Sequence, residues 1–121
     1  MNMDIKEGML EYCKKVAQKN QWILNKEEGT LSELLDGLTV NKNKYGYQSC
    51  PCRLASGNRE LDRDLICPCD YAPLDVKEHG TCYCNLYMRS DYYETIDEAF
   101  ILVPERRPKE KEQAVIDFLN E

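Results

Sequence analysis

Apolar residues recur at intervals of three and four positions near the N-terminus of the chain. The members of this stripe are Ile5, Met9, Tyr12, Cys13 and Val16. This spacing places them on one face of a helix, so the pattern predicts an amphipathic helix over residues 4–19. Cys13 belongs to the stripe, and we therefore expect it to be buried as a small apolar residue.

A second helical pattern follows further along the chain. Thr30 and Glu33 form a T-x-x-E sequence, which is typical of a capping box at the start of a helix. The leucines that follow share one face, and they are Leu31, Leu34, Leu35 and Leu38. Gly46 is suited to end the helix, because glycine adopts the left-handed conformation found after many helix C-termini. The sequence therefore predicts a helix from about Thr30 to about Tyr45.

The middle of the chain shows shorter patterns. Asn58 is a suitable N-cap for a short helix over residues 58–66, and Leu61 and Leu65 would face inward from it. Residues 86–88 are apolar and indicate a short extended segment.

The C-terminal part predicts two more helices. A short one is expected near residues 95–100, and Pro104 and Pro108 then break the chain before a last helix over residues 109–120. Its inward-facing residues are Val115, Ile116 and Leu119. Alternating β patterns are scarce. The sequence therefore predicts a mainly α, small single-domain helical fold over residues 1–121, with irregular loops that carry the cysteines.

Composition and charge narrow the function classes. Hydrophobic residues make up 42% of the 121 residues, which is enough for a modest core. The net charge of −6 argues against nucleic acid as the main partner, because phosphate contacts need a basic surface. No apolar run approaches the roughly 20 residues of a membrane span. Charges at Asp4, Lys6 and Glu7 stand where a signal peptide would be apolar, so we expect a cytoplasmic protein.

Six of the seven cysteines form three C-x-C pairs. The pairs are Cys50/Cys52, Cys67/Cys69 and Cys82/Cys84. Residues i and i+2 of an extended segment point to the same side, so each pair presents two neighbouring thiols. Pro51 and Pro68 stiffen the first two pairs by fixing φ. Structural disulfides are rare in a reducing compartment, and metal binding or redox catalysis is therefore favoured.

The paired cysteines outnumber the ligands of one metal centre. A cubane iron–sulfur cluster takes four thiolates, and so does a zinc site, at most. A cluster beside a redox-active dithiol would use all six. The alternatives are a zinc-stabilised interaction module, a disulfide-stapled secreted module, and an iron–sulfur electron carrier or sensor without catalytic activity. Zinc fits poorly, because its usual ligand spacing is C-x(2–4)-C.

The motifs CPC, CPC and C-x-C, together with GLTVNKNKYGYQSCPCR and ILVPERRP, resemble the catalytic (beta) chain of ferredoxin:thioredoxin reductase. The resemblance implies a small, mostly helical fold with a 4Fe–4S cluster next to a redox-active disulfide. The implied cluster ligands are Cys50, Cys67, Cys69 and Cys82. The implied redox pair is Cys52 and Cys84, with Cys52 as nucleophile. The resemblance also implies ferredoxin as electron donor, a thioredoxin-like substrate and, in plant-type members, a small variable subunit.

The third motif departs from the family pattern. The family has CHC, whereas this chain has CYC with Tyr83 at the place of the histidine. The resemblance implies proton transfer there, for which a phenol with a reference pKa of about 10 is less suited near neutral pH. His79, the only histidine, lies three residues before Cys82 and is the alternative catalytic group. Arg53 either favours the thiolate of Cys52 or is a solvated or docking residue.

Overall fold

The computed structural model describes residues 2–96, 98 and 100–121 of the chain. The predicted mainly α fold is confirmed, with six α-helices in these residues. They are α1 (Asn2–Asn20), α2 (Glu28–Tyr45), α3 (Arg59–Asp62), α4 (Ala72–His79), α5 (Tyr92–Thr95) and α6 (Lys109–Leu119). Two strands, β1 (Trp22–Leu24) and β2 (Tyr87–Arg89), pair antiparallel. Within the same residues, every helix is too short or too polar to cross a membrane.

The two long helices, α1 and α2, form the base of the core. α1 buries Met9, Cys13 and Ala17, which follow one another at intervals of four residues. α2 places Leu35 and Leu38 in the same apolar cluster. The predicted burial of Cys13 is confirmed, because its side chain is fully enclosed. Removal of these apolar side chains from water stabilises the pairing of the helices.

The start of α2 differs from the prediction. The helix begins at Glu28, and the Glu27 carboxylate caps it by accepting bonds from the Gly29 N–H at 3.2 Å and the Thr30 N–H at 2.9 Å. The predicted capping box at Thr30 is therefore wrong, and the Thr30 hydroxyl donates to Glu27 instead. The predicted end is confirmed, since Gly46 has a left-handed φ of 87° and donates its N–H to the Lys42 carbonyl.

The small sheet joins the N-terminal part of the chain to the cysteine region. Ile23 of β1 lies opposite Met88 of β2, and Met88 is fully buried. The ring of Trp22 packs against that of Tyr87 with 5.4 Å between centroids. The sequence predicted the extended segment near β2 but missed β1, because three residues are too few to show an alternating pattern.

The short helix after the first C-x-C pair is confirmed. Asn58 caps α3 through bonds from two backbone N–H groups, and a 3-10 turn over residues 63–65 follows. Asp62 is fully buried, and its carboxylate accepts bonds from Ser56, Gly57 and Tyr47. These bonds satisfy the oxygens of the buried carboxylate and hold the loop that follows the first cysteine pair in place.

The sequence missed α4, which lies inside the predicted loop between Cys69 and Cys82. Pro73 stands in its first turn, where a backbone N–H has no helical partner and its absence is tolerated. Gly80 ends the helix with a left-handed φ of 86°. The candidate residue His79 is therefore the last residue of a helix.

The C-terminal predictions are partly confirmed. α5 ends at Thr95, so the helix predicted near residues 95–100 was placed too late; Asp97 and Ala99 lie outside the described residues. α6 agrees with the prediction and buries Val115 fully. Leu119 is 48% exposed, so its predicted inward orientation is wrong.

Residues 101–107, which we call the strap, contact segments that lie next to the cysteine pairs. Side-chain bonds fasten them, and the pairs are Asn85–Ile101, Arg53–Glu105, Asp75–Arg106 and Asp64–Arg107. The side chains of Asp64 and Arg107 are both nearly fully buried. Buried charges of this kind are tolerated only when they are paired, so this pair fixes the strap against the 3-10 turn.

Candidate redox site

The three C-x-C pairs converge on one cavity. Its lining contains Cys50, Cys67, Cys69, Cys82 and Cys84. The remainder is largely apolar and includes Leu34, Ala72, Leu86 and Tyr87. Cys52, the sixth paired cysteine, is exposed. The cavity thus collects the four predicted ligands and one thiol of the predicted redox pair, while the other thiol faces solvent.

Backbone hydrogen bonds hold the first two pairs side by side. The Cys50 N–H donates to the Leu65 carbonyl at 2.8 Å, and the Cys67 N–H donates to the Gln48 carbonyl at 2.8 Å. Tyr12 of α1 donates its hydroxyl to the Cys67 carbonyl at 3.0 Å. This bond keeps the Tyr12 ring at the edge of the core, where it is 38% exposed although the helical stripe predicts burial.

Pro51, the central residue of the first pair, packs directly on α2. The contact is possible because Gly37 has no side chain, and a Cβ built there would lie 2.7 Å from the Pro51 Cβ. Carbon atoms cannot approach so closely without displacement of one segment. Gly37 therefore allows the first C-P-C pair to lie against the helix.

The third pair is held by a turn that leads into β2. The Asn85 N–H donates to the Cys82 carbonyl at 2.9 Å, and the Cys82 N–H donates to the Tyr87 carbonyl at 2.9 Å. Asn85 has a left-handed φ of 62°, a conformation that asparagine tolerates better than most residues. The turn places Cys82 and Cys84 beside the sheet and against the other two pairs.

Three of the sulfurs form a tight group. Those of Cys50, Cys52 and Cys84 all lie within 4.8 Å of one another, and the distance from Cys50 to Cys84 is 2.7 Å. The sulfurs of the predicted redox partners Cys52 and Cys84 are thus close enough to form a disulfide with each other after a small movement. Cys84 thus lies close both to a predicted ligand and to the predicted nucleophile.

Exposure and charge distinguish the two thiols of the predicted redox pair. Cys52 is exposed, and hydrogen bonds from Cys50 and Cys84 lower its pKa to about 4. Cys84 is less exposed, and its bonds with Cys50 and Cys52 raise its pKa. The thiolate form is therefore favoured at Cys52, which is also the member of the group that a substrate can reach.

Two protein N–H groups donate to predicted ligand sulfurs, and a tyrosine hydroxyl lies near a third. The Tyr87 N–H donates to the Cys82 sulfur at 3.4 Å, and the Tyr87 hydroxyl lies 4.0 Å from the Cys67 sulfur. Nη1 of Arg53 lies 3.4 Å from the Cys69 sulfur. Donors to ligand sulfurs orient the ligands and stabilise their negative charge.

Arg53 is buried, which rules out the solvated alternative. Its guanidinium binds both carboxylate oxygens of Glu105 and lies over the rings of Tyr71 and Tyr83. Burial disfavours the charged guanidinium, but the bonds to Glu105 and nearby negative charge outweigh it and raise the pKa of Arg53. Although Arg53 follows Cys52 in sequence, its side chain reaches the middle cysteine pair.

Comparison with known proteins agrees with this geometry. The family model of the ferredoxin thioredoxin reductase catalytic beta chain matches residues 2–111. The chain belongs to this family. It is therefore related to oxidoreductases that act on disulfides, and the resemblance noted in the sequence is confirmed.

Three curated relatives carry the name ferredoxin-thioredoxin reductase catalytic chain. The protein from Porphyra purpurea is 26% identical over 93 residues, which cover 75% of each chain. The chloroplastic protein from Arabidopsis thaliana is 26% identical over 87 residues, or 57% of its own length. The protein from Guillardia theta is 24% identical over 86 residues, or 80% of its length.

The donor set of the cavity fits the iron–sulfur centre of the family. Thiolates are the usual ligands of such clusters, and four of them meet in one apolar cavity. The four predicted ligands are between 3% and 7% exposed. Low exposure limits the access of water to a bound cluster. The cysteine group can therefore hold a metal centre.

Tyr83 and His79 occupy different surroundings. Tyr83 lines the cavity, and its ring lies 4.2 Å from the Arg53 guanidinium. His79 ends α4, and its Nε2 lies 3.9 Å from the Glu78 carboxylate. Among the described residues, the cavity lining does not include His79.

Sequence reasoning missed three residues that shape the site, namely Gly37, Tyr87 and Glu105. In the sequence Gly37 is simply a glycine within a predicted helix. Glu105 contacts Arg53, which is 52 positions away along the chain. Neither position carries a local signal, because both act through tertiary contacts. Glu105 does fall in the ILVPERRP segment that supported the family resemblance, which is the only trace of its role in the sequence.

Proposed function

We propose that the chain is a disulfide reductase that accepts electrons from ferredoxin and reduces thioredoxin or a similar protein. In this proposal a 4Fe–4S cluster is held by Cys50, Cys67, Cys69 and Cys82. Cys52 and Cys84 form the redox-active pair beside it. Membership of the ferredoxin thioredoxin reductase catalytic beta chain family supports the proposal.

One observation carries the assignment of roles. Five cysteine sulfurs line a single cavity, whereas the sulfur of Cys52 is exposed within 4.8 Å of two of them. A metal centre requires converging ligands, and an attack on another protein requires an accessible thiol. Both requirements are met side by side only if Cys52 is the attacking thiol.

The exchange chemistry follows from the positions of Cys52 and Cys84. The Cys52 thiolate bonds to one sulfur of the substrate disulfide, and the other substrate sulfur leaves and takes up a proton. Cys84 then bonds to Cys52, and the second substrate sulfur leaves and is protonated. The products are a substrate dithiol and a Cys52–Cys84 disulfide. Two electrons from ferredoxin, with two protons, then reduce this disulfide to two thiols.

The proposed cluster would connect a one-electron donor with the two-electron chemistry of a disulfide. A bound cluster supplies a one-electron site next to a pair of thiols that undergo two-electron chemistry. Cys84 belongs both to the cavity lining and to the group of three close sulfurs that contains the exposed Cys52, so it connects these two regions. Tyr83 is the candidate group for proton transfer beside the pair, because it directly precedes Cys84 and lines the same cavity.

Metal and thiol analysis of anaerobically purified protein tests the proposal. We expect about four iron and four acid-labile sulfide atoms per chain, as a cubane cluster contains. Treatment with a reductant should make a further pair of thiols available to alkylation. Zinc without sulfide would contradict the proposal and favour a zinc-stabilised interaction module.

Serine variants test the division of roles. Cys52→Ser and Cys84→Ser should keep their iron but lose reduction of a thioredoxin disulfide by reduced ferredoxin. Cys13→Ala, which removes the buried cysteine of α1, is the matched control and should retain both iron and activity. If Cys52→Ser and Cys84→Ser both kept this activity, the assignment of Cys52 and Cys84 as the redox-active pair would be wrong.

A further inference from the structure

Arg53 brings a buried positive charge into contact with a cysteine of the cavity. We propose that Arg53 is a positioning residue for the cluster, whose guanidinium hydrogen-bonds the Cys69 sulfur and raises the reduction potential of the centre. The inference rests on the proposed function, because it takes Cys69 as a cluster ligand.

The first support is the contact itself. Nη1 of Arg53 is 3.4 Å from the Cys69 sulfur, within the range of a hydrogen bond to sulfur. The Arg53 side chain is only 3% exposed, so water competes little for this donor. A charge-assisted bond in such surroundings is stronger than the same bond at the surface.

Glu105 of the strap sets the direction of the guanidinium. Its carboxylate accepts from Nε at 2.9 Å and from Nη2 at 2.6 Å, which are on the same edge of the fork. Nη1 remains free to donate to Cys69. Only the planar guanidinium of arginine can make these contacts together, since lysine has a single ammonium group.

Two aromatic rings restrict the same guanidinium. The rings of Tyr83 and Tyr71 lie 4.2 Å and 5.2 Å from its central carbon. Both distances are within the range of cation–π attraction. The tyrosine of the CYC motif therefore acts on Arg53 through the face of its ring, a contact that explains an aromatic residue at this position.

A closed set of contacts anchors this arrangement to the fold. The Tyr71 hydroxyl donates to Asp64 at 2.6 Å, and Asp64 pairs with Arg107 at 2.8 Å. The backbone N–H of Arg107 donates to the Glu105 carboxylate at 2.9 Å. The same carboxylate binds Arg53, which closes the set of contacts. Each member is positioned by two others, so Arg53 has one defined orientation toward the cavity.

The direction of the expected effect follows from charge. Reduction adds an electron to a centre whose thiolate ligands are already negative. A nearby guanidinium and an N–H bond to a ligand sulfur stabilise the reduced state more than the oxidised state. Removal of Arg53 should therefore shift the midpoint potential to a more negative value.

An anaerobic redox titration followed by visible absorption or electron paramagnetic resonance measures this shift. Arg53→Gln should have a clearly more negative midpoint than the unchanged protein, at equal iron content. Arg63→Gln is the matched control, because it removes the same charge from an exposed side chain, and its midpoint should not move. Equal midpoints in the two variants would overturn the proposal.

The conservative variant separates the hydrogen bond from the charge. Arg53→Lys keeps a positive group but loses the fork, so its midpoint should fall between those of Arg53→Gln and the unchanged protein. A full return to the original value would show that charge alone is sufficient and would overturn the assigned bond. A structural role without electronic effect would leave all midpoints alike.

Two measurements keep the test decisive. If Arg53→Gln assembles no cluster, Glu105→Gln takes its place; it leaves Arg53 uncompensated beside Cys69 and should shift the midpoint to a more positive value. An unchanged midpoint in Glu105→Gln would then contradict the proposal. Iron and sulfide analysis of the unchanged protein tests the proposed function separately, so the two failures are distinguishable.

Discussion

The sulfur atoms of Cys50 and Cys84 lie 2.7 Å apart, although the two residues are separated by 34 positions in the chain. One is a predicted cluster ligand and the other a predicted member of the redox pair. The contact joins the first and third motifs at the place where the two functions meet. The two residues differ in burial, since Cys50 is 3% exposed and Cys84 is more accessible.

Serine substitution at these two positions should give opposite results. Cys50→Ser removes a proposed ligand and should lose most of the iron and the visible absorption of the cluster. Cys84→Ser should retain the iron but expose no additional thiol after reduction. Colorimetric iron analysis and thiol alkylation check both outcomes. The reverse pattern would exchange the roles of the two residues.

The contact between Gly37 and Pro51 leads to a second prediction. Alanine at an exposed helix position usually stabilises a protein by about 1 kcal/mol relative to glycine. Gly37→Ala should instead destabilise and lower the iron content, because its Cβ would displace the first C-P-C pair. Gly8→Ala in α1 is the control, since its Cβ would meet no atom within 4 Å. Thermal unfolding and iron analysis of the two variants should therefore diverge.

The stacking of Tyr83 on Arg53 leads to a third prediction. Tyr83→Phe keeps an aromatic face over the guanidinium and should retain the stability of the unchanged protein. Tyr83→Leu loses the cation–π contact and should reduce the free energy of unfolding by about 1 kcal/mol. Urea unfolding under anaerobic conditions measures the difference. Equal losses in both variants would show that the hydroxyl matters and the ring face does not.

The buried pair of Asp64 and Arg107 leads to a fourth prediction. Asp64→Asn leaves the Arg107 guanidinium buried without its counter-charge and should destabilise by about 3 kcal/mol. Glu60→Gln, an exposed acidic residue of α3, should change stability little. Urea unfolding at neutral pH compares the two. A small effect of Asp64→Asn would show that the pair does not anchor the strap.

The same pair predicts a dependence on pH. Burial opposes ionisation of Asp64, but hydrogen bonds from Tyr71 and Arg107 outweigh it and lower the pKa of the carboxyl group. The resulting stability is present above the unfolded-state pKa of about 3.9 and is lost as the pH falls through the lower folded-state pKa. The stability difference between the unchanged protein and Asp64→Asn should therefore shrink only in acid.

Local sequence patterns predicted the regular elements well where the elements were long or carried a cap. α1, α2, α6 and the cap at Asn58 were found because helical spacing and capping depend on neighbouring residues. β1 and α4 were missed for different reasons. β1 has three residues and gains its stability from pairing with β2, while α4 lies in a cysteine-flanked segment that was interpreted as a loop.

The sequence by itself determined the family of this protein. The spacing of the cysteines shows that six of them occur as three C-x-C pairs, and these motifs identify the family. Both features can be recognised without a structure, because residue type and spacing are local properties. Tertiary structure decided which groups surround the sulfurs. The contacts of Arg53 with Cys69, Glu105 and Tyr83 join segments 16 to 52 positions apart. Such contacts depend on how the chain packs, and no local pattern records them.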